Sequence, residues 1–98
     1  MKSRSDIFNL LEKHRTEIKA FGVLELGIFG SFAREEQTDK SDVDVLVEME
    51  SRTFDAYMDL LFFLEDLFGR RVDLVVKDTI KPIIRNRVLR EAVYVSNL

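Results

Sequence analysis

Apolar positions along the chain change spacing from one segment to the next, and each change marks an element. Ile7, Leu10, Leu11, Ile18 and Phe21 recur at three- and four-residue intervals, with His14 on the same stripe. This spacing predicts an amphipathic helix over residues 4–20, stopped near Gly22. Ser3 and Asp6 supply an S-x-x-D start signal. His14 reads as a boundary or core histidine, since nothing nearby offers a second imidazole for a metal.

In "VLELGIFG" the period shortens to two, with Leu24, Leu26 and Ile28 alternating, so a strand is expected. "FAREE" is long enough for one helical turn and "TDKS" reads as loop. "DVDVLVEM" predicts a second strand with Val43, Val45 and Val47 on one face and Asp42, Asp44, Leu46 and Glu48 on the other. "TFDAYMDLLFFLEDLFG" returns to helical spacing and closes on Gly69. Tyr57, Leu61, Leu64 and Phe68 form its expected core stripe. Leu60, Phe62, Phe63 and Leu67 widen that stripe, so residues 57–68 are also expected to present a docking face to a partner or a second copy. "RRVDLVVK" predicts a third strand, with Asp73 opposite Val72, Leu74 and Val76. A last helix over 81–90 starts at Pro82, and "AVYVS" closes the chain as a strand. The alternation implies one α+β (α/β-type) domain over residues 1–98, built on a mixed sheet with helices mainly on one face.

Composition narrows the partners. The 98 residues are 46% hydrophobic and 34% charged, which suits a compact folded domain. Absence of cysteine excludes a disulfide framework and thiolate zinc sites and fits a cytoplasmic protein. The start "MKSRSDIFNLLEKHR" lacks a signal-peptide centre, and no run is long enough to span a membrane. A net charge of −3 argues against direct nucleic-acid binding. Lys77, Lys81, Arg85, Arg87 and Arg90 are local exceptions, read as a solvated helix face.

The stretch "GSFAREEQTDKSDVDVLVE" fits none of this patterning comfortably. Aspartate is depleted in strands, and carboxylates sharing a face repel. Asp42 and Asp44, two apart, reach the same side, and Asp73 joins them if its strand is a neighbour. Three such charges about 5 Å apart at an effective dielectric of about 20 repel by roughly 10 kcal/mol in total. That rivals the stability of a whole domain, about 5–15 kcal/mol, and calls for protonation or a cation, for which oxygen donors suit Mg²⁺ or Mn²⁺. Gly30 lets the backbone approach a ligand, Ser31 adds a hydroxyl, and Arg34 follows one turn later. An anion cradle beside an acidic pair describes a nucleoside triphosphate site. An EF-hand is excluded by Leu46 and Thr53 at ligand positions of its loop, and neither G-x-x-x-x-G-K-[ST] nor G-x-G-x-x-G occurs.

On these residues the chain resembles the minimal nucleotidyltransferases (MNT-domain proteins) of the DNA polymerase β superfamily. Their signature is Gly-Ser, ten residues, then Asp-x-Asp, as in Gly30-Ser31 to Asp42-Val43-Asp44. "GSFAR", "SDVDVLV", "VDLVV" and "REAVYV" extend the likeness over nearly the whole chain. The resemblance implies a polymerase β-like fold. It also implies two metal ions on Asp42, Asp44 and Asp73, and a triphosphate held by Gly30, Ser31 and Arg34. Asp73 is the candidate for receiving the acceptor's proton. The implied activity is transfer of AMP from ATP to a tyrosine of a HEPN-domain toxin, the protein acting as antitoxin; a binding-only antitoxin is the alternative. Glu35 stands where the family usually has glycine, which would alter the exit of the short helix and add negative charge near the phosphates.

Overall fold

The computed structural model describes residues 2–51, 53–96 and 98. The first helical pattern folds as two helices, α1 (Arg4–Lys13) and α2 (Arg15–Ala20), rather than one. Ser3 and Asp6 form the reciprocal cap at the start of α1. The break falls at His14, whose backbone leaves helical geometry at φ −105° and ψ 22°. Its ring bonds Glu17 at 2.7 Å and meets Phe63 edge-on at 6.2 Å. Main-chain bonds run on through it, from His14 N–H to Leu10 and from Ile18 N–H to His14. The apolar stripe therefore survives the break, and Ile7, Leu11 and Ile18 are all fully buried.

Four strands follow: β1 (Val23–Phe29), β2 (Val43–Met49), β3 (Val72–Val76) and the two-residue β4 (Val93–Tyr94). They line up in the order β3-β2-β1-β4. β2 and β3 are parallel, and the other pairs are antiparallel. The parallel step needs a crossover, provided by α4 (Phe54–Phe68), which ends on Gly69 in left-handed geometry at φ 66°. A one-turn helix, α3 (Gly30–Ala33), joins β1 to the loop before β2, and α5 (Pro82–Glu91) joins β3 to β4 through a short 3-10 turn over Lys77–Thr79.

One face of the sheet carries the main core, in which Leu26, Ile28, Val43, Val45, Val47 and Leu74 meet α1, α2 and α4. Leu24 does not join it. A bulge between Val23 and Glu25 shifts the register, leaving Leu24 48% exposed. On α4 the fully buried residues are Leu60, Leu64 and Phe68, with Tyr57 and Leu61 only partly buried. Phe63 stacks against Phe21 at 5.1 Å, and Leu67 also packs on the core. Most of the helix's apolar width is thus taken up within the domain, and its exposed apolar residues are Phe54 and Phe62.

The other face of the sheet is covered by α5 and the 3-10 turn, where Leu46, Ile80 and Val88 form a second, smaller core. Asp44, Asp73 and Phe29 stand on this face beside that core.

Candidate functional site

Strand register brings two of the three predicted acidic residues, Asp44 and Asp73, together. Asp44 is the direct partner of Asp73 across the parallel pair β2–β3, and of Phe29 across β1–β2. Partners in register point to the same face with backbones about 4.8 Å apart. Asp42 precedes the first residue of β2 and is exposed, as is Asp73, whereas Asp44 is half-buried. Burial, Asp73, Asp42 and Glu91, in that order, push the Asp44 carboxyl up to about 6, with Arg34 opposing them. The site therefore concentrates negative potential on one carboxylate. Among the described residues, no three His, Cys, Asp or Glu side chains are already arranged as a metal cage. The charge demand and the hard oxygen donors nevertheless fit a divalent cation.

Gly30 is pressed against this centre. It has φ +70°, and a Cβ placed on it would lie 1.9 Å from Asp44 Oδ2. Both the backbone conformation and the approach require glycine. Ser31 follows, half-buried, and the Arg34 guanidinium bonds Glu36 Oε1 at 2.8 Å and pairs with Glu91 Oε1.

Glu35, just past the Arg34 cap of α3, is in left-handed geometry, φ 59°, where glycine is easiest. The turn is complete around it: Glu35 N–H bonds Phe32 at 3.2 Å and Glu36 N–H bonds Ser31 at 2.8 Å. Its carboxylate meets Arg4 at 3.6 Å. Glu35 thus takes the left-handed exit that a glycine would take, and the acids that engage Arg34 are Glu36 and Glu91.

Two residues escaped the sequence reading. Glu91 closes α5, and its Oε2 accepts the Gly30 N–H at 3.1 Å. Its only sequence signal is a place in "REAVYV", one turn beyond Arg87. Arg70 donates to the Ser41 carbonyl at 2.9 Å and lies over the Phe32 ring at 5.3 Å. The loop before Asp42 is tied further by Thr38 N–H donating to Ser41 Oγ at 2.8 Å. Tyr57 on α4 donates its hydroxyl to the Leu74 carbonyl, next to Asp73. Of the basic residues near the C-terminus, Lys77 is held by Glu25 at 2.8 Å and Arg85 bonds the Lys77 carbonyl at 2.9 Å. Arg87 faces a cavity of about 240 Å³ that it shares with Gly30, Arg34, Asp44 and Glu91.

Comparisons with known proteins bear on the family and the fold. A family described as "Nucleotidyltransferase domain" matches residues 11–95. Protein adenylyltransferase MntA of Thermococcus cleftensis is 43% identical, covering 97% of this chain and 98% of its own. A solved structure described as a candidate minimal nucleotidyltransferase superposes with a TM-score of 0.82 at 34% identity, covering 94% of this chain and 95% of that one. A solved complex of a tri-AMPylated Shewanella oneidensis HEPN toxin with an MNT antitoxin shares the fold at a TM-score of 0.63 and 18% identity. That match covers 89% of this chain and 70% of the other.

Proposed function

The chain belongs to the nucleotidyltransferase domain family, and from that membership we propose that it transfers AMP from ATP to a hydroxyl of a partner protein. The observation that carries the reading is the register match of Asp44 with Asp73, with Gly30 seated directly on Asp44. On this reading, a metal-binding pair and a phosphate-binding turn share one site. Asp42, Asp44 and Asp73 would hold two divalent ions, Mg²⁺ or Mn²⁺. When bound, such ions supply neutralisation of the triphosphate and activation of the attacking hydroxyl.

The chain's own groups divide the remaining work. Gly30 N–H and the Ser31 hydroxyl bind phosphate oxygens, and Arg34 offsets the charge that leaves with pyrophosphate. The order β3-β2-β1 sets Asp73 on one side of Asp44 and the Gly30 turn on the other. An in-line displacement needs the acceptor opposite the leaving group, so Asp73 lies on the acceptor side, where it takes or steers the hydroxyl proton.

The MntA name of the 43%-identical relative and the HEPN–MNT complex of the more distant one support a HEPN-type toxin as acceptor, modified on tyrosine, with this chain as antitoxin. A related toxin–antitoxin structure contains AMP-PNP, which supports ATP as donor. The test is label transfer from α-labelled ATP to a HEPN partner, with toxin neutralisation measured in parallel. Transfer lost in the Asp42→Asn, Asp44→Asn double variant together with neutralisation supports the enzyme. Neutralisation that persists without transfer supports a binding-only antitoxin.

A further inference from the structure

Glu91 contacts two of the three groups assigned above to the triphosphate. Its Oε2 accepts the Gly30 N–H at 3.1 Å, and its Oε1 pairs with the Arg34 guanidinium. A main-chain amide and a guanidinium converging on one carboxylate are the same donors that a phosphate oxygen would recruit. We propose that Glu91 is a built-in competitor of the nucleotide: it fills the anion position in the nucleotide-free protein and moves to Arg87 when triphosphate enters. This inference rests on the nucleotide reading of the site.

Burial, spacing and room support the exchange. The Glu91 side chain is only 14% exposed, so its contacts are those of a packed residue rather than a surface one. Arg87 stands four positions earlier on α5, a spacing at which side chains on a helix meet. Burial pushes the Glu91 carboxyl up, but hydrogen bonds from Arg34 and Gly30, then the charges of Arg34 and Arg87, outweigh it and hold the carboxyl below the ordinary glutamate range. The cavity of about 240 Å³ is lined by Gly30, Arg34, Asp44, Arg87 and Glu91, so both cations bound the space through which the carboxylate would swing. A triphosphate arriving at Gly30 and Arg34 would meet Glu91 as a like charge, and Arg87 gives that charge somewhere to go.

The test is calorimetric titration of the full chain with ATP in Mg²⁺. Glu91→Gln keeps an oxygen for the Gly30 amide but removes the competing charge, and is expected to tighten binding by about 5- to 10-fold. Glu91→Ala should act in the same direction, with folding checked by thermal melting. Arg87→Ala, which removes the alternative partner, should weaken binding several-fold. If Glu91 serves instead to hold Arg34 in position, Glu91→Gln will weaken binding, and that result or an unchanged affinity overturns the proposal while ATP binding by the wild type leaves the nucleotide reading standing. Failure of every protein to bind ATP removes both.

Discussion

Asp44 and Asp73 come from strands 29 residues apart in sequence, yet they are direct partners across the parallel ladder of β2 and β3. The main-chain ladder, fixed by the cores on either side, holds the two carboxylates together against their repulsion. Val43, Val45 and Val47 face one core and Leu46 the other, so a one-residue slip would turn every one of these side chains over. The acidic pair is therefore placed by hydrophobic register.

Asp44 should be a stability liability in the metal-free protein. Its folded value of about 6 lies above the ordinary 3.8, so the folded form holds the proton more tightly than the unfolded chain. Stability from this group is complete below the unfolded value and is lost as pH rises through about 6. Asp44→Asn is expected to raise stability at pH 7 by about 1 kcal/mol after allowance for solvent screening. It should also flatten the fall in melting temperature between pH 4 and pH 7, while AMP transfer drops to background. Chelator-treated samples of both proteins, melted across that range, check the sign.

Gly30 should tolerate no side chain. Gly30→Ala combines a left-handed backbone with a Cβ 1.9 Å from Asp44 Oδ2, and it is expected to cost on the order of 2 kcal/mol. Either the turn or Asp44 must move, so ATP affinity should fall with stability. Denaturant melts and ATP titration of the same preparation measure both.

Glu35 should be improvable without a change in chemistry. Its φ of 59° carries a strain that glycine lacks, and the exposed contact with Arg4 contributes little. Glu35→Gly is expected to stabilise the protein by about 1 kcal/mol and to leave the KM for ATP unchanged. A large change in KM would mean that the Glu35 charge reaches the phosphates after all.

The facing of Asp44 and Asp73 was legible in the chain because it depends on strand alternation. The Val-x-Val-x-Val pattern around Asp44 and the Val-x-Leu-x-Val pattern around Asp73 set their faces, whereas Asp42 lies just before β2, outside the alternation. Glu91 was not legible, since its bond to Gly30 spans 61 residues and depends on α5 folding back over the turn. No local period encodes that contact. The apolar width of α4 was legible only in part for a related reason: its spacing does not show that Phe63 stacks on Phe21 or that Leu67 packs on the core. Likewise the period of the first helix continues through His14, although its backbone does not.

Intact-mass measurement of a HEPN partner, incubated with this chain, ATP and Mg²⁺, probes the central claim most directly. A gain of one or more AMP units on a partner tyrosine, absent with Asp44→Asn or with Mg²⁺ chelated, is the expected result. An unmodified partner, in a mixture where the wild-type chain binds both ATP and that partner, would contradict it.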